Sequence, residues 1–345
     1  MKKLFIAALA ISAMVACSKD DAPTLDSNHK SITISITNMA STTKAVTSPS
    51  PESSYQCASI EDLMIVFCDN QGNQVDGGAF ELKQGTKVGG TYTFHGLPET
   101  VTQFFVIGSD NGYLTATPTS VAAAQKLWDD SPTTQIGAEV GDIIVFGVSS
   151  AFEYEGDCTD PVDSDVKYPL FSASTTVKPN VARVEISSIS CIDLGAREYD
   201  GNPSTVGFDK LTFKKIMLGT MEQALSNVLN ATNPVSTVTT TPEADNNKVW
   251  SWNFAGGAVT TYPLSITMDA TSTTTAYPNP EHTITTTTYN EGTTPLENFE
   301  KGHIYKMAVE FSEDDLLNED NLICINVTVT IADWIIHNIK PEFGK

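Results

Sequence analysis

One cysteine of the sequence stands at a junction where its thiol could be chemically modified. Cys17 ends an apolar run, residues 4–16, and is followed at once by the charged sequence SKDD. Lys2 and Lys3 precede the run, which is too short to cross a bilayer and is typical of a secretory signal. A thiolate is a soft nucleophile that forms thioethers easily, so we expect Cys17 to receive a modification rather than to catalyse a reaction.

The residues around Cys17 resemble the lipobox of bacterial lipoproteins, in which diacylglycerol alkylates the cysteine and this residue begins the mature chain. Met14 stands where that pattern prefers leucine. The acidic run after Cys17 is similar to the surface-export signal of Bacteroidota lipoproteins, which implies an outer-membrane lipoprotein exposed at the cell surface. The alternative is an ordinary cleaved signal with a chance cysteine, followed by a solvated tether.

The charge balance argues against several classes of partner. The 345 residues include 42 acidic and 20 basic side chains, a net charge of −22, and loss of Lys2 and Lys3 with the signal makes the balance more negative. Nucleic acids and anionic headgroups both need a basic surface, so we expect neither as a partner. The sequence has no later apolar segment of spanning length, so membrane attachment is expected through the lipid alone.

Residues that could form a catalytic or metal site are scattered along the sequence. The five histidines lie far apart, no serine sits in a GxSxG motif, and no Cys/His spacing suggests a metal site. Carboxylates cluster at residues 129–130, 160–165 and 313–320, which we interpret as solvated loop charge. An acid/base pair or weak calcium binding is the alternative. We therefore predict a protein that is not an enzyme and has no cofactor or metal.

The other cysteines and the tryptophans are predicted to be structural. Cys68, Cys191 and Cys324 lie in apolar runs, where a buried free thiol is expected. Because five cysteines besides Cys17 are an odd number, they cannot all pair with one another. A disulfide between Cys57 and Cys68 is an alternative in an oxidising compartment. The tryptophans are expected in the core, and a sugar-binding platform is the alternative. They are Trp128, Trp250, Trp252 and Trp334.

Strands dominate the predicted secondary structure. Residues 31–39 alternate strictly, with Ile32, Ile34 and Ile36 on one face and Ser or Thr on the other. A helix is predicted over residues 119–128, with Thr119 or Ser120 as its N-cap. Loops are predicted over residues 153–169, 231–248 and 270–294. The further strands are predicted at residues 60–67, 91–94, 103–108, 142–148, 181–194, 211–218, 250–254, 264–268, 302–311 and 322–331.

This pattern predicts an all-β protein of two antiparallel β-sandwich domains, joined near residue 175, with one short helix. The first strand is unusual because a polar tether precedes it and an exposed segment containing Lys44 and Ala45 follows it. Such a segment is a natural site of proteolysis. The expected organisation is a signal peptide at 1–16, a lipidated tether with a removable first strand at 17–44, and sandwich domains at 45–175 and 176–345.

Several segments, in this order, resemble the fimbrillins, the pilin subunits of Bacteroidota fimbriae. The matching stretches are the lipobox with SKDD, the lone first strand before Lys44, and the runs IEDLMIVFCDNQG, YTFHGLP, QFFVIGSDNG, VKPNVARVEI, FEKGHIYKMAVEF and INVTVTIADW. The resemblance runs the length of the mature chain. It implies two tandem transthyretin-like sandwich domains, export as a lipidated precursor, proteolytic removal of the first strand, and assembly by strand exchange in support of cell adhesion.

Under this resemblance, a cut between Lys44 and Ala45 would remove the first strand and leave an unpaired groove. Ile32, Ile34 and Ile36 would be the side chains that fill this groove in the precursor. The family's processing protease favours arginine, whereas this chain offers Lys44, and residues 335–343 are the family's candidate donor strand.

The partners that the resemblance implies are other copies or related fimbrial subunits, together with the outer membrane through the lipid before processing. A host or bacterial surface ligand is a further partner class. The alternative function is a monomeric surface lipoprotein that binds a glycan or a host ligand through its Thr-rich loops.

Overall fold

A computed structural model of the chain describes residues 23–38, 63–88, 90–109, 114, 116–131, 135–136, 143–195, 207–231, 236–239, 250–272, 280–291, 293–317 and 326–333. Several positions with sequence-based predictions lie outside the described residues. They are Cys17, Lys44, Ala45, Cys57, Cys324, Trp334 and the segment 335–343. Among the described residues, no helix is long and apolar enough to cross a membrane.

The first part of the described chain consists of strands, one α-helix and a turn of 3₁₀ helix at Leu82–Gln84. The elements are β1 Thr24–Leu25, β2 His29–Asn38, β3 Met64–Cys68, β4 Gln74–Glu81, β5 Thr86–Val88, β6 Thr91–Pro98, β7 Gln103–Ser109, α1 Val121–Asp130, β8 Gln135–Ile136, β9 Ile144–Ser149, β10 Glu153–Thr159 and β11 Val166–Pro179.

Two sheets of this first part share one core and are joined by β11. One sheet has the order β10-β11-β2-β6-β5. Lys178 and Pro179, at the end of β11, pair with β9 and so lead into the second sheet, β9-β7-β3-β4. Apolar side chains from both sheets, such as Ile32, Phe67 and Phe104, pack into the same cluster, so the two sheets form a sandwich.

Helix α1 covers the outer face of the second of these sheets. Ser120 caps the helix, since its side chain accepts a hydrogen bond from the Ala123 amide at 3.2 Å, as the sequence predicted for one of two residues. Ala124 is buried against Phe105 and Phe146 of the strands beneath. The helix therefore seals a smaller apolar cluster on the side of the sheet away from the main core.

The second part of the described chain is again mostly strands, with one turn of α-helix and a turn of 3₁₀ helix at Val259–Thr261. The elements are β12 Ala182–Cys191, β13 Lys210–Leu218, β14 Met221–Ala224, β15 Val228–Asn230, β16 Ser236–Thr239, β17 Trp250–Phe254, β18 Gly257–Ala258, β19 Leu264–Thr271, β20 Glu281–Thr286, β21 Asn290–Glu291, β22 Thr294–Pro295, β23 Asn298–Phe299, β24 His303–Phe311, α2 Glu313–Leu317 and β25 Asn326–Asp333.

The second part also forms two main sheets around one core. The larger has the order β22-β21-β25-β24-β12-β17-β8, with β16 beside β12, and the smaller has the order β14-β13-β19-β20, with β15 beside β13. Trp252 and Tyr305 from the larger sheet and Phe213 and Ile266 from the smaller one are buried in a single cluster. The short strand β8 comes from the first part of the chain and links the two parts by pairing with β17.

The all-β prediction is confirmed. The pairing is mostly antiparallel, with parallel pairs at β1–β11, β2–β11, β12–β24 and β21–β25. Pairing passes from the first set of sheets to the second between Pro179 and Ala182, a few residues after the expected junction at 175/176. The domain limits and the transthyretin-like topology stay predictions.

All three segments predicted as loops contain strands, so those loop predictions are wrong. β16 lies within residues 231–248. β10 and the start of β11 form a hairpin within residues 153–169, and β20 lies within residues 270–294. The side chains of β10 are mostly exposed on both faces, so the segment has no apolar alternation to detect. In β20 the threonines pair across strands, with the hydroxyls of Thr267 and Thr283 3.0 Å apart.

The cysteines Cys68 and Cys191 are buried free thiols, as their apolar surroundings predicted, and Cys158 is a half-buried free thiol. Burial raises the pKa of Cys68 to about 11 and that of Cys191 to about 12, so both stay protonated at neutral pH. Trp252 is a core residue with no exposed surface, which removes it from any sugar-binding platform.

Gly147 in β9 allows the two sheets of the first part to meet closely. A Cβ atom at this position would stand 2.5 Å from the Thr176 carbonyl oxygen and 2.9 Å from the Thr175 hydroxyl, both on β11. We expect Gly147→Ala to lower the free energy of unfolding by about 1–3 kcal/mol. The nearest atom to the added methyl group is a backbone oxygen of β11, which cannot move away without shifting the strand. Thermal unfolding measures this. Gly90→Ala is the matched control, since nothing lies within 4 Å of a Cβ there, and equal melting temperatures for the two variants would contradict the close-packing argument.

Candidate strand-exchange groove

The strand β2 lies inside a sheet rather than at its edge. It runs parallel to β11, with Leu170 opposite Ser31 and Val177 opposite Asn38, and antiparallel to β6 on its other side. Its backbone is therefore paired on both sides over residues 31–35, with β6 alone before them and with β11 alone after them. We call the channel between β6 and β11 that β2 occupies the groove.

The apolar side chains of β2 enter the core of the first sandwich. Ile32 and Ile34 have no exposed surface, and Ile36 is partly buried against the same cluster. Ile32 lies opposite Phe94 of β6 and Phe171 of β11. Burying the two fully covered isoleucines stabilises the fold by about 3–6 kcal/mol in total relative to exposing them.

Hydroxyl groups hold the other face of β2 to β6. The Thr33 and Thr93 hydroxyl oxygens are 2.9 Å apart, and the Ser31 hydroxyl lies 2.9 Å from Nδ1 of His95. Ser31 is fully buried, so this contact replaces the water that the hydroxyl would otherwise bind. Burial lowers the pKa of His95 below its usual 6.5, and the charge of Asp160 opposes that shift.

A lysine at the start of β2 lies on the same face as the isoleucines. The Lys30 ammonium donates a hydrogen bond of 2.8 Å to the carbonyl oxygen of Val101 and stands 5.2 Å from the centroid of the Phe171 ring. Its side chain is largely buried, and the residue is 9% exposed. The alternation of Ile32, Ile34 and Ile36 predicted the buried face of β2 but not the burial of Lys30. The signal for it in the sequence is a cation two residues before an apolar alternation.

The chain before β2 is also fastened to β11. β1 pairs in parallel with the start of β11, where the amide of Thr24 donates to the Asp165 carbonyl and that of Asp26 donates to the Lys167 carbonyl, both at 2.8 Å. The carboxylate of Asp26 lies 2.8 Å from the His29 ring, and hydrogen bonds from the Asn28 amide and from His29 lower its pKa. β1 and β2 thus both lie along one strand, β11.

Carboxylates of the 160–165 cluster stabilise a turn by accepting hydrogen bonds from backbone amides. Asp160 accepts hydrogen bonds from the amides of Asp163 at 2.9 Å and Val162 at 2.6 Å, which lower its pKa and hold the turn between β10 and β11. Among the described residues, no three His, Cys, Asp or Glu side chains are grouped so that they could hold a metal ion.

The interpretation of the 313–320 cluster as solvated charge is wrong for two residues. Glu313 is fully buried and accepts hydrogen bonds from the amides of Gly195 at 2.7 Å and Phe208 at 2.9 Å. Asp315 is 8% exposed and accepts a hydrogen bond from the Ser312 amide at 2.7 Å. Both carboxylates are drawn inward because backbone amides at the start of α2 and in the neighbouring loops need acceptors.

The four histidines that the structure describes are not assembled into one site. His29 is the first residue of β2 and His95 lies beside the strand in β6, whereas His282 and His303 lie in the second part of the chain. Nε2 of His303 is 3.9 Å from a Glu300 carboxylate oxygen. The sequence-predicted site residues that the structure brings together are therefore Ile32, Ile34 and Ile36, on one face of one strand.

Comparisons with known proteins give structural likeness and no sequence match. No protein-family model and no curated protein matches the sequence. A candidate cell adhesion protein from Bacteroides eggerthii is similar at a TM-score of 0.46 and 12% identity, covering 92% of this chain and 98% of its own.

Two proteins from Porphyromonas gingivalis give similar values. A fimbrilin is similar at a TM-score of 0.46 and 13% identity, covering 91% of this chain and 99% of its own. The tip fimbrial protein Mfa3, truncated at its C-terminus, is similar at a TM-score of 0.42 and 11% identity, covering 89% of this chain and 100% of its own. The chain thus has fimbrial and candidate adhesion proteins among its structural neighbours, at similarities that leave its function to be argued from its own residues.

The buried face of β2 can be tested with one substitution. We expect Ile34→Asp to destabilise the full chain by several kcal/mol, because a carboxylate would replace a fully buried isoleucine. Thermal unfolding measures the effect, and Ser35→Asp is the matched control on the opposite, half-buried face. An unchanged melting temperature for Ile34→Asp would show that β2 does not fill the core.

The contact between Ser31 and His95 predicts a pH dependence. Because burial lowers the pKa of His95, the neutral ring stabilises the fold fully above pH 6.5, and this contribution is lost as the pH falls through the lower folded-state pKa. The melting temperature should therefore fall on acidification below pH 6.5, and His95→Gln should make the fall shallower. Identical pH profiles for the two proteins would contradict this assignment.

Proposed function

We propose that this protein is a fimbrial subunit, exported as a surface lipoprotein precursor and assembled by strand exchange after proteolysis, in support of cell adhesion. The observation that carries the proposal is the interior position of β2, the first long strand in the described part of the chain. Lys44 and Ala45 follow β2 after a few residues, so one cut there separates β1 and β2 covalently from every other strand.

Loss of β2 would leave an incomplete sandwich. β11 and β6 would present rows of unpaired amides and carbonyls to each other across the empty groove, and the sites of Ile32 and Ile34 would become open apolar pockets. A buried polar group left without a partner costs about 1–3 kcal/mol, so the incomplete form gains stability from any matching strand. An extended strand from another subunit supplies both the hydrogen bonds and the side chains.

Strand exchange of this kind produces a filament. The surface that gives a strand differs from the groove that receives one, so the contact is head-to-tail, and it extends into a filament when the rotation between subunits does not close a ring. The precursor is protected from early assembly because its own β2 fills the groove.

The position of Cys17 fits release from the membrane at the same step. Cys17 and β2 lie on the same side of the bond between Lys44 and Ala45. We propose that lipid on Cys17 holds the precursor at the outer membrane, and that the cut frees the body of the subunit from the lipid and from β2 together.

Limited proteolysis tests the assembly step. Treatment of the precursor with a trypsin-like protease should give ladders of oligomers on gels under mild heating, and the processed chain should begin at Ala45. Lys44→Gln is the matched control and should stay monomeric with β2 still part of the chain, even where the protease cuts the tether after Lys19. A cut wild-type chain that stays monomeric would favour the monomeric, ligand-binding lipoprotein instead.

Lipid attachment is tested separately in cells. Cys17→Ser should abolish labelling of the precursor by a radioactive or clickable fatty acid, because serine cannot form the thioether. Cys158→Ser is the control and should keep full labelling, and label remaining on the Cys17→Ser chain would rule out this cysteine as the anchor.

A further inference from the structure

Lys30 places a cation inside the groove rather than at its rim. The residue is 9% exposed and lies on the face of β2 that carries Ile32 and Ile34. A lysine is rarely buried unless its ammonium group has partners, and burial lowers the pKa of this one while the charge of Glu99 opposes the shift. The groove must therefore supply those partners.

The contacts that the structure shows for the Lys30 ammonium come from strands or loops that stay with the body after the cut. The Val101 carbonyl oxygen accepts its hydrogen bond at 2.8 Å, and Val101 itself is fully buried. The face of the Phe171 ring lies 5.2 Å away, a distance at which an aromatic ring attracts a cation. Glu99 adds a negative charge nearby.

The subsites that follow along the groove have a fixed chemical order. Next to the Lys30 position is the Ser31 position, where Nδ1 of His95 meets a buried hydroxyl. The Ile32 and Ile34 positions come next and are purely apolar. A strand in the register of β2 thus meets a cation site, a hydroxyl site and then two apolar sites on alternate residues.

We propose that the groove contains a cation subsite, formed by Val101, Phe171 and Glu99, that selects strands carrying Lys or Arg two residues before their first buried apolar side chain. This inference rests on the proposed strand exchange and specifies which strands can enter. It names the partner by its chemistry, an extended segment with the pattern cation, small polar, apolar, polar, apolar.

The physical reason is that the empty subsite penalises other side chains. An apolar residue would cover Phe171 but leave the buried Val101 carbonyl oxygen without a donor. An acidic residue would also be repelled by Glu99, and it cannot donate a hydrogen bond when ionised. Discrimination therefore comes from the body of the subunit, through unsatisfied groups, as well as from attraction to the cation.

Synthetic peptides of residues 29–38 test this without altering the fold. The wild-type chain is cut at Lys44 and incubated with fluorescent peptides that carry the native sequence, Lys30→Arg, Lys30→Met, Lys30→Glu or Ile34→Asp. The amount incorporated is measured by gel fluorescence and by anisotropy. We expect the native and Arg peptides to enter, the Met peptide to bind about tenfold more weakly, and the Glu peptide more weakly still.

The outcomes separate this inference from the proposed function. If the native peptide enters and Ile34→Asp does not, but Met and Glu match Lys, strand exchange stands and the cation subsite is overturned. If the native peptide does not enter, or if Ile34→Asp enters equally well, the groove is not an exchange site and both proposals fail.

Discussion

The two-sided pairing of β2 is the constraint on which the first half of the structure depends. Without β2, β6 would keep only its pairing with the short strand β5, and β11 would lose its neighbour along residues 170–177. Ile32 and Ile34 add apolar contacts to the same core that holds Phe67 and Phe104 of the facing sheet. The strand is thus both a hydrogen-bonding insert and part of the core, so its departure opens the backbone and the interior together.

The register of β2 is fixed by polar as well as apolar contacts. A slip of one residue would turn the isoleucines outward and would separate Ser31 from His95 and Lys30 from Val101. The first strand of the second half, β12, has a comparable position, since it is antiparallel to β17 and parallel to β24. The two halves therefore place an early strand between an antiparallel and a parallel neighbour, but only β2 is followed by a segment with a proposed cut.

The sequence predicted the parts of the site that depend on local pattern. The alternation of Ile32, Ile34 and Ile36 predicted the strand and its buried face, and Ser120 was among the predicted helix caps. The neighbours of β2 could not be predicted, because its partners lie about sixty and 140 positions away and pairing at that distance leaves no local signal. Lys30 was overlooked because burial of a cation depends on those same distant partners.

Amide hydrogen exchange of the precursor tests the central claim most directly. Segments 91–98 and 170–177, which pair with β2, should be protected in the uncut chain. They should lose protection when the chain is cut and β2 is displaced under conditions that prevent assembly, and regain it in the polymer, while β13 stays protected throughout. Unchanged protection of both segments in the absence of β2 would show that the strand is not what completes the sandwich.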